Sequence, residues 1–468
     1  DKSAEVAVAD PGDGFIGEAL TLALNRPVRI KVGLVSEIQA ALARNFPVED
    51  DSQLLPDDET SVEGDVNDIA HLRDMASGAP VIRRVNQLVS RALELRASDI
   101  HIEPAERGVV VRYRIDGVLR AMDFPSGVSP AASVSRIKVM ANLNIAERRL
   151  PQDGRIQLRA EGREVDMRIS TVPTLYGESV VMRLLDRGDV ALDFWALGFE
   201  EEILERFEEL LTRPHGIILV TGPTGSGKTT TLYAALSTLN SPDKKILTVE
   251  DPVEYQLEGV NQIPIRPNID LTFANALRAI LRQDPDVIMI GEMRDVETAR
   301  IAVQAALTGH KVFSTLHTND AASSITRLQD MQVDDYLLTS TIDGILAQRL
   351  VRRLCPKCRT EYTPPEPLVS KLRLDRLTDE RPIRLYRGNG CSACDYTGYH
   401  GRTTILELLV MTESLRRAII AREDADTLRR IAQQDGMQDM QTNGLRKALA
   451  GLTTIEEVER VAQAQAED

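Results

Sequence analysis

The sequence predicts an α/β protein built on a mainly parallel sheet around one glycine-rich loop. A separate α+β domain precedes that sheet, and a small four-cysteine unit and a helical C-terminus follow it. Three observations predict this. The stretch Gly222-Pro223-Thr224-Gly225-Ser226-Gly227-Lys228-Thr229 has the spacing GxxxxGK[ST], with a strand-like run, Ile217–Val220, before it and a helical pattern, Thr230–Leu236, after it. The apolar runs 217–220, 246–249, 287–290 and 312–316 alternate with helical patterns, as in a parallel sheet with crossover helices. All four cysteines fall in two CxxC pairs, Cys355/Cys358 and Cys391/Cys394.

With 468 residues the chain is too long for one core, and 43% hydrophobic with 27% charged residues is ordinary for a globular protein. The net charge of −15 argues against broad binding to nucleic acid or anionic lipid, which needs a basic face. No apolar stretch approaches the span of a bilayer, and no signal peptide is visible. The chain begins at Asp1 rather than Met, so part of its first domain is expected to lie outside this sequence.

Residues 1–48 read as a partial N-terminal domain, with helical spacing over Gly17–Leu24 and Val35–Leu42 and a short strand over Pro27–Val32. Residues 49–77 read as an exposed linker. No Lys or Arg lies between Arg44 and Arg73, while acidic residues recur there, and a one-sign run repels itself. Residues 78–189 read as the α+β domain. A helix over Val81–Leu95 is followed by Ser98-Asp99-Ile100-His101-Ile102-Glu103-Pro104 and by a hairpin turning at Asp116-Gly117. Further strands fall at Ile156–Leu158, Val165–Ile169 and Val180–Leu185, with Glu161-Gly162 between the first two. His101, alone in a strand, reads as structural. Residues 190–352 carry the loop and the parallel sheet, 353–410 the cysteines, and 411–468 a helical region in which Thr454-Ile455-Glu456-Glu457 reads as a capping box.

The glycine loop is a cradle for phosphate. Its glycines let several N–H groups converge, the following helix adds its positive end, Lys228 reaches the β- and γ-phosphates, and Thr229 ligates Mg²⁺. Glu250, Asp251 and Glu254 follow one strand of the sheet and Glu292 another. Carboxylates at strand ends beside such a loop hold Mg²⁺ or orient the attacking water. His317 follows the strand 312–316 and is placed to contact the γ-phosphate; His310 reads as either structural or a relay. Phosphoryl transfer also needs cations, often supplied in trans. The α+β domain offers Arg155, Arg159, Arg163, Arg168 and Arg183, while Arg278 and Arg282 share a helix face. Two CxxC knuckles predict a tetrahedral Cys₄ zinc site, since no thioredoxin-like context surrounds either pair. The insert between them, rich in Pro, Arg and Asp, is expected to project and to serve docking rather than catalysis.

Together, the glycine loop, Thr248-Val249-Glu250-Asp251-Pro252-Val253-Glu254, Ile290-Gly291-Glu292-Met293-Arg294-Asp295, and Thr308-Gly309-His310 with Ser314-Thr315-Leu316-His317-Thr318 resemble the secretion ATPase superfamily. In that family they are the Walker A, Asp, Walker B and His boxes. The resemblance runs from about Gly78 to about Leu409. Ser98–Pro104 and His317-Thr318-Asn319-Asp320-Ala321 favour its type II secretion branch, with the pilus-assembly ATPases as close relatives. It implies a RecA-like ATPase domain behind a PAS-like α+β domain, and a cytoplasmic homohexamer recruited to the inner membrane. ATP would lie between those two domains, on Gly222 to Thr230. By motif position Arg168 and Arg183 match arginines that reach the nucleotide, and Arg278, Arg282 and Arg294 match basic interface positions. The implied cofactors are ATP, Mg²⁺ and Zn²⁺. The implied partners are the cytoplasmic domain of an inner-membrane type II secretion protein, held by the N-terminal domain, and a polytopic inner-membrane platform protein, met by the zinc-bearing region. The implied output is pseudopilus extension and export of folded proteins. A nucleic-acid translocase with the same core is disfavoured by the charge. One departure is Arg402-Thr403-Thr404-Ile405, where the family pattern has Gly in place of Thr404; if that Gly serves a tight backbone turn, the local geometry of the zinc unit differs here.

Overall fold

The computed structural model describes residues 4–8, 26–33, 79–106, 108–122, 129–160, 163–186 and 192–462. The helices expected at 17–24 and 35–42, the acidic linker and the Glu161-Gly162 turn lie outside them. The chain divides into two units, residues 1–66 and 67–468. In the first, β1 (Ala4–Val8) pairs in parallel with β2 (Val28–Val32), the strand read at 27–32.

The second unit begins with the α+β domain: α1 (Ala79–Glu94), β3 (Ala97–Ala105), β4 (Gly108–Ile115), β5 (Val118–Met122), α2 (Pro130–Met140), β6 (Gln152–Ala160), β7 (Arg163–Thr174) and β8 (Gly177–Asp186). Its six strands form an antiparallel sheet in the order β5-β4-β3-β8-β7-β6. Alternation decides the two faces. Ile100, Ile102, Met167, Ile169, Val180 and Met182 are buried against Val85, Leu88, Val89 and Ile137 of the two helices. The intervening residues lie on the opposite, polar face. Asp116 and Gly117 both have positive φ, as the two-residue hairpin turn requires.

The larger, parallel-sheet body follows: α3 (Phe194–Leu197), α4 (Glu201–Thr212), β9 (Gly216–Thr221), α5 (Lys228–Leu239), β10 (Ile246–Glu250), β11 (Val260–Pro264), α6 (Phe273–Ile280), β12 (Val287–Ile290), α7 (Val296–Leu307), β13 (Lys311–Leu316), α8 (Ala321–Asp330), α9 (Asp335–Thr341) and β14 (Ile342–Leu354). β15 (Arg359–Tyr362), α10 (Glu366–Leu372), β16 (Leu385–Gly388), β17 (Tyr399–Val410) and the helices α11 (Glu413–Ile420), α12 (Ala425–Gln434), α13 (Met440–Leu449) and α14 (Ile455–Ala462) complete it. Seven strands form one sheet in the order β11-β10-β12-β13-β9-β14-β17, parallel except for the β14–β17 pair. In β9, Ile217 and Leu219 pack in one core, Ile218 and Val220 in the core on the other face. Both faces are therefore covered, and the strand reads as one unbroken apolar run. The chain leaves β9 toward β10 and later returns to β14 on its other side. The strand order thus switches at β9, where open α/β sheets bind ligands.

One departure from the family pattern is accounted for, and one expectation needs correction. Thr404 sits within β17 opposite Leu350, fully buried, and its Oγ1 donates to the Leu197 carbonyl at 2.9 Å. No tight turn occurs there, because a buried strand position suits a β-branched residue. The insert between the cysteine pairs does not project freely: Val369, Leu374, Ile383 and Leu385 bury themselves against Leu445, Ala448, Ile455 and Val458 of α13 and α14. Its few apolar residues, scattered among charges, form that contact.

Candidate active site

The glycine loop joins β9 to α5. Gly222, Gly225 and Gly227 all have positive φ, and a Cβ on Gly222 would stand 2.4 Å from the Gln348 carbonyl oxygen. Only glycine allows that path. Gln348 on β14 braces the loop from below: its Nε2 donates to Ser226 O at 2.7 Å, and its Oε1 accepts from Thr231 at 2.8 Å. Lys228 is nearly buried and folds back on the loop, donating to the carbonyls of Gly222 at 2.8 Å and Pro223 at 3.1 Å. Burial lowers its ammonium to about 8, against the pull of Glu292. Pro223, Thr224 and Gly225 are exposed at the rim, and Thr229 and Thr230 are half-buried at the start of α5.

The strands beside β9 bring the acid and the histidine together. Glu292 follows β12, and its Oε2 lies 3.1 Å from Nε2 of His317, which follows β13. Arg294 holds its other oxygen at 2.6 Å. The two strand ends are tied together, with Thr315 donating to Gly291 O at 2.7 Å and Met293 N–H to Thr315 O at 3.0 Å. Thr318 N–H donates to Thr221 Oγ1 at 3.0 Å, joining the histidine segment to the strand that carries the loop.

Glu250 stands differently. It is buried, and its carboxylate accepts from Thr248 at 2.5 Å, from Gln262 at 3.2 Å and from the hydroxyl of Tyr233. Burial raises its pKa, and these donors oppose the rise. Glu292 is therefore the acid facing Lys228, while Glu250 is closed within a network of its own.

The arginines separate into three groups. Arg168 on β7 reaches Glu254 of the parallel-sheet body at 2.7 Å. Arg183 on β8 instead meets Asp99 at 2.9 Å, within the α+β sheet. Arg278 pairs with Glu297 on the surface, and Arg282, just beyond the end of α6, donates to Arg278 O at 2.9 Å. His310 is tied by Nδ1 to Ala305 O at 2.9 Å in the turn before β13, the structural alternative. His101 Nδ1 lies 3.9 Å from Glu103, with no hydrogen bond to its buried Nε2.

The four cysteines converge: their Sγ atoms lie within 4.8 Å of one another, and Cys355–Cys391 and Cys358–Cys394 are 3.9 and 3.8 Å apart. A tetrahedron with metal–sulfur bonds of about 2.3 Å has edges of about 3.8 Å, so this donor set fits zinc. Burial opposes ionisation of Cys394, but N–H groups of Cys391 and Gly398 directed at its sulfur bring the thiol down to about 6.

A positive-φ glycine loop, a lysine, and a carboxylate–histidine pair at adjacent strand ends of a parallel sheet define a P-loop ATPase. The comparisons with known proteins narrow the class. Residues 74–460 match the family model described as type II/IV secretion system protein, and the chain belongs to that family. It is 58% identical over 459 residues to "Type II secretion system protein E" of Xanthomonas campestris pv. campestris, covering 97% of this chain and 80% of that protein. It is 49% identical over 392 residues to "Type II secretion system ATPase E" of Vibrio cholerae, covering 84% and 77%. Among solved structures it resembles the pilus retraction motor PilT with bound ADP, at a TM-score of 0.55 and 29% identity, over 80% of this chain and 96% of that one. The chain is accordingly an ATP-hydrolysing enzyme of the type II secretion kind.

Gln348, Tyr233 and Gln262 were not singled out from the sequence. Nothing local in the sequence singles them out: Gln348 stands in a stretch of mixed polarity, and its partners are 117 and 122 residues away.

Proposed function

We propose that this ATPase works as a homohexameric ring on the cytoplasmic face of a bacterial inner membrane, extending a pseudopilus that exports folded proteins across the outer membrane. The contact between Glu292 and His317, beside Lys228 and the glycine loop, is the observation that carries the chemistry. Residues 222–230 hold the phosphates of ATP, with Lys228 exchanging its two carbonyl partners for phosphate oxygens. Glu292 accepts the proton of the attacking water, and His317 fixes the direction of that carboxylate. Thr229 would hold Mg²⁺, which neutralises charge on the transferring group. Arg168 and Arg183 supply cations as the α+β domain closes, and Arg278, Arg282 and Arg294 serve the subunit interface. Cys355, Cys358, Cys391 and Cys394 hold a structural Zn²⁺. The N-terminal domain docks on the cytoplasmic domain of an inner-membrane secretion protein, and the zinc-bearing region meets a polytopic platform protein. No helix among the described residues is long and apolar enough to cross a membrane, which agrees with recruitment by such partners.

ATP turnover measured against oligomeric state tests this reading. Wild type is expected to be slow when dilute and to speed up steeply on assembly. Glu292→Gln is expected to bind ATP yet lose about 100-fold or more in turnover, the scale of a lost general base. Concentration-independent turnover from a proven monomer would contradict the ring, and an active Glu292→Gln would contradict the base.

A further inference from the structure

The polar face of the α+β sheet carries a transverse row of charges. Arg155 on β6 pairs in register with Arg168 on β7, Arg168 with Arg183 on β8, Arg183 with Asp99 on β3, and Asp99 with Arg114 on β4. Residues directly opposite on neighbouring strands share a face and stand about 5 Å apart, so like charges there oppose folding. Three adjacent arginines are thus a poor arrangement for stability and a good one for meeting an anion. One carboxylate, Asp99, stands within the row, and its geometry is specific. The side chain is almost fully buried. Its Oδ1 accepts from Arg183 Nε at 2.9 Å, its Oδ2 accepts from the Ser98 hydroxyl at 2.8 Å, and Arg114 Nε stands 3.6 Å from Oδ2.

The grip on Arg183 is on Nε alone among the described residues, and the Arg183 side chain is 54% exposed. Nε is the donor nearest the backbone. Fixing it orients the guanidinium and leaves both terminal nitrogens for a two-point contact with phosphate oxygens. An arginine without this anchor would have to give up its rotamer freedom at each encounter with nucleotide.

We propose that Asp99 is the positioning residue of Arg183: it holds the guanidinium extended from the sheet so that its terminal nitrogens meet the nucleotide's phosphates when the α+β domain closes. This rests on the nucleotide-facing role proposed for Arg183. It predicts that removing Asp99 has no cost once Arg183 is gone.

The test is a double-mutant cycle on assembled full chain, with ATP turnover at saturation, KM for ATP and thermal midpoint read for each variant. Asp99→Ala is expected to lower kcat by about tenfold with little change in KM, as for an interaction made mainly in the transition state. Arg183→Ala is expected to fall further, and the double variant to match Arg183→Ala alone. The same cycle with Asp99→Asn keeps the side-chain volume, so poor folding of the alanine variant does not remove the test. Wild-type turnover in both Asp99 variants, or losses that multiply in the double variant, would overturn the role of Asp99 and leave that of Arg183 standing. Wild-type turnover in Arg183→Ala would overturn both.

Discussion

Glu250 and Glu292 occupy equivalent-looking places in the sequence, each just past an apolar strand and beside further polar residues. Sequence position alone left both as metal ligand or base. The difference lies in what surrounds each carboxylate, and that is a tertiary fact. Glu250 satisfies three donors inside the protein, while Glu292 is shared between His317 and the exposed Arg294. Their amide variants should therefore separate. Glu250→Gln replaces a buried charged acceptor by a group that brings its own donors, and should lower the unfolding free energy by about 1–3 kcal/mol. Glu292→Gln should leave stability nearly unchanged. Denaturant melts of both variants, without nucleotide, check this; equal losses would mean that Glu250 is not a structural centre. Gln348→Ala makes a related test. It strips partners from Ser226 O and the Thr231 hydroxyl. ATP should then bind more weakly by a comparable free energy, while the four-cysteine unit stays intact.

At the scale of elements, legibility followed burial. β9, β10, β12 and β13 were readable because both faces are covered, so their residues are apolar or small apart from Glu250 at the end of β10 and Lys311 at the start of β13. β14 and β17 were not read as strands of the sheet. Ile342–Leu354 contains Asp343, Gln348, Arg349, Arg352 and Arg353, which break the unbroken apolar run of a strand covered on both faces. In the fold Gln348 braces the glycine loop, Arg349 reaches Val461 O at 2.8 Å, and Arg352 meets Glu457 at 2.6 Å. Their partners lie more than 100 residues away, beyond any local pattern. The capping box at Thr454–Glu457 shows the same limit. Thr454 caps α14 by accepting from Glu457 N–H at 3.3 Å, but the Glu457 carboxylate turns to Arg352 and Arg460. Burial alone would raise that carboxyl; the two arginines bring it to about 2, below its ordinary 4.5. The unfolded chain therefore takes up the proton first. The stability this pair supplies is complete above pH 4.5 and is lost as pH falls toward 2. Glu457→Gln should be less stable than wild type at neutral pH and should flatten the acid limb between 4.5 and 2, read by unfolding midpoints against pH. A chelator makes a second test at this scale. If the four cysteines hold zinc as proposed, its removal should loosen residues 355–398 and their contact with α13 and α14, leaving the strands of the large sheet protected from hydrogen exchange.

Across the whole second unit, the α+β domain and the ATPase body each close their own core. Residues of the α+β core come from 85–184, and the large cores of the body from 194 onward. Among the described residues, the side-chain contacts that join the two are polar and sparse. Arg168 meets Glu254 at 2.7 Å, Arg96 meets His400 at 3.2 Å, and Asp116 accepts from Gly401 N–H at 3.0 Å. A partly exposed ion pair contributes about 0–1 kcal/mol, and a neutral hydrogen bond about 1 kcal/mol. Such a junction can open at small cost, and a nucleotide that favours a different arrangement by a few kcal/mol can shift it. Two apolar cores sharing a face would have forbidden this, because parting them exposes surface at about 25 cal/mol per Å². The motion proposed to carry Arg168 and Arg183 onto phosphate is thus available without unfolding either part. The Gly401 amide reports it directly, being held by a side chain of the other domain. On addition of a non-hydrolysed ATP analogue to assembled protein, exchange at Gly401 and around the Asp116 turn should change at least severalfold. Amides in the middle of β9 and β13 should not. Unchanged exchange at Gly401 would mean that the two parts move as one body, and nucleotide would then have to act through the subunit interface instead.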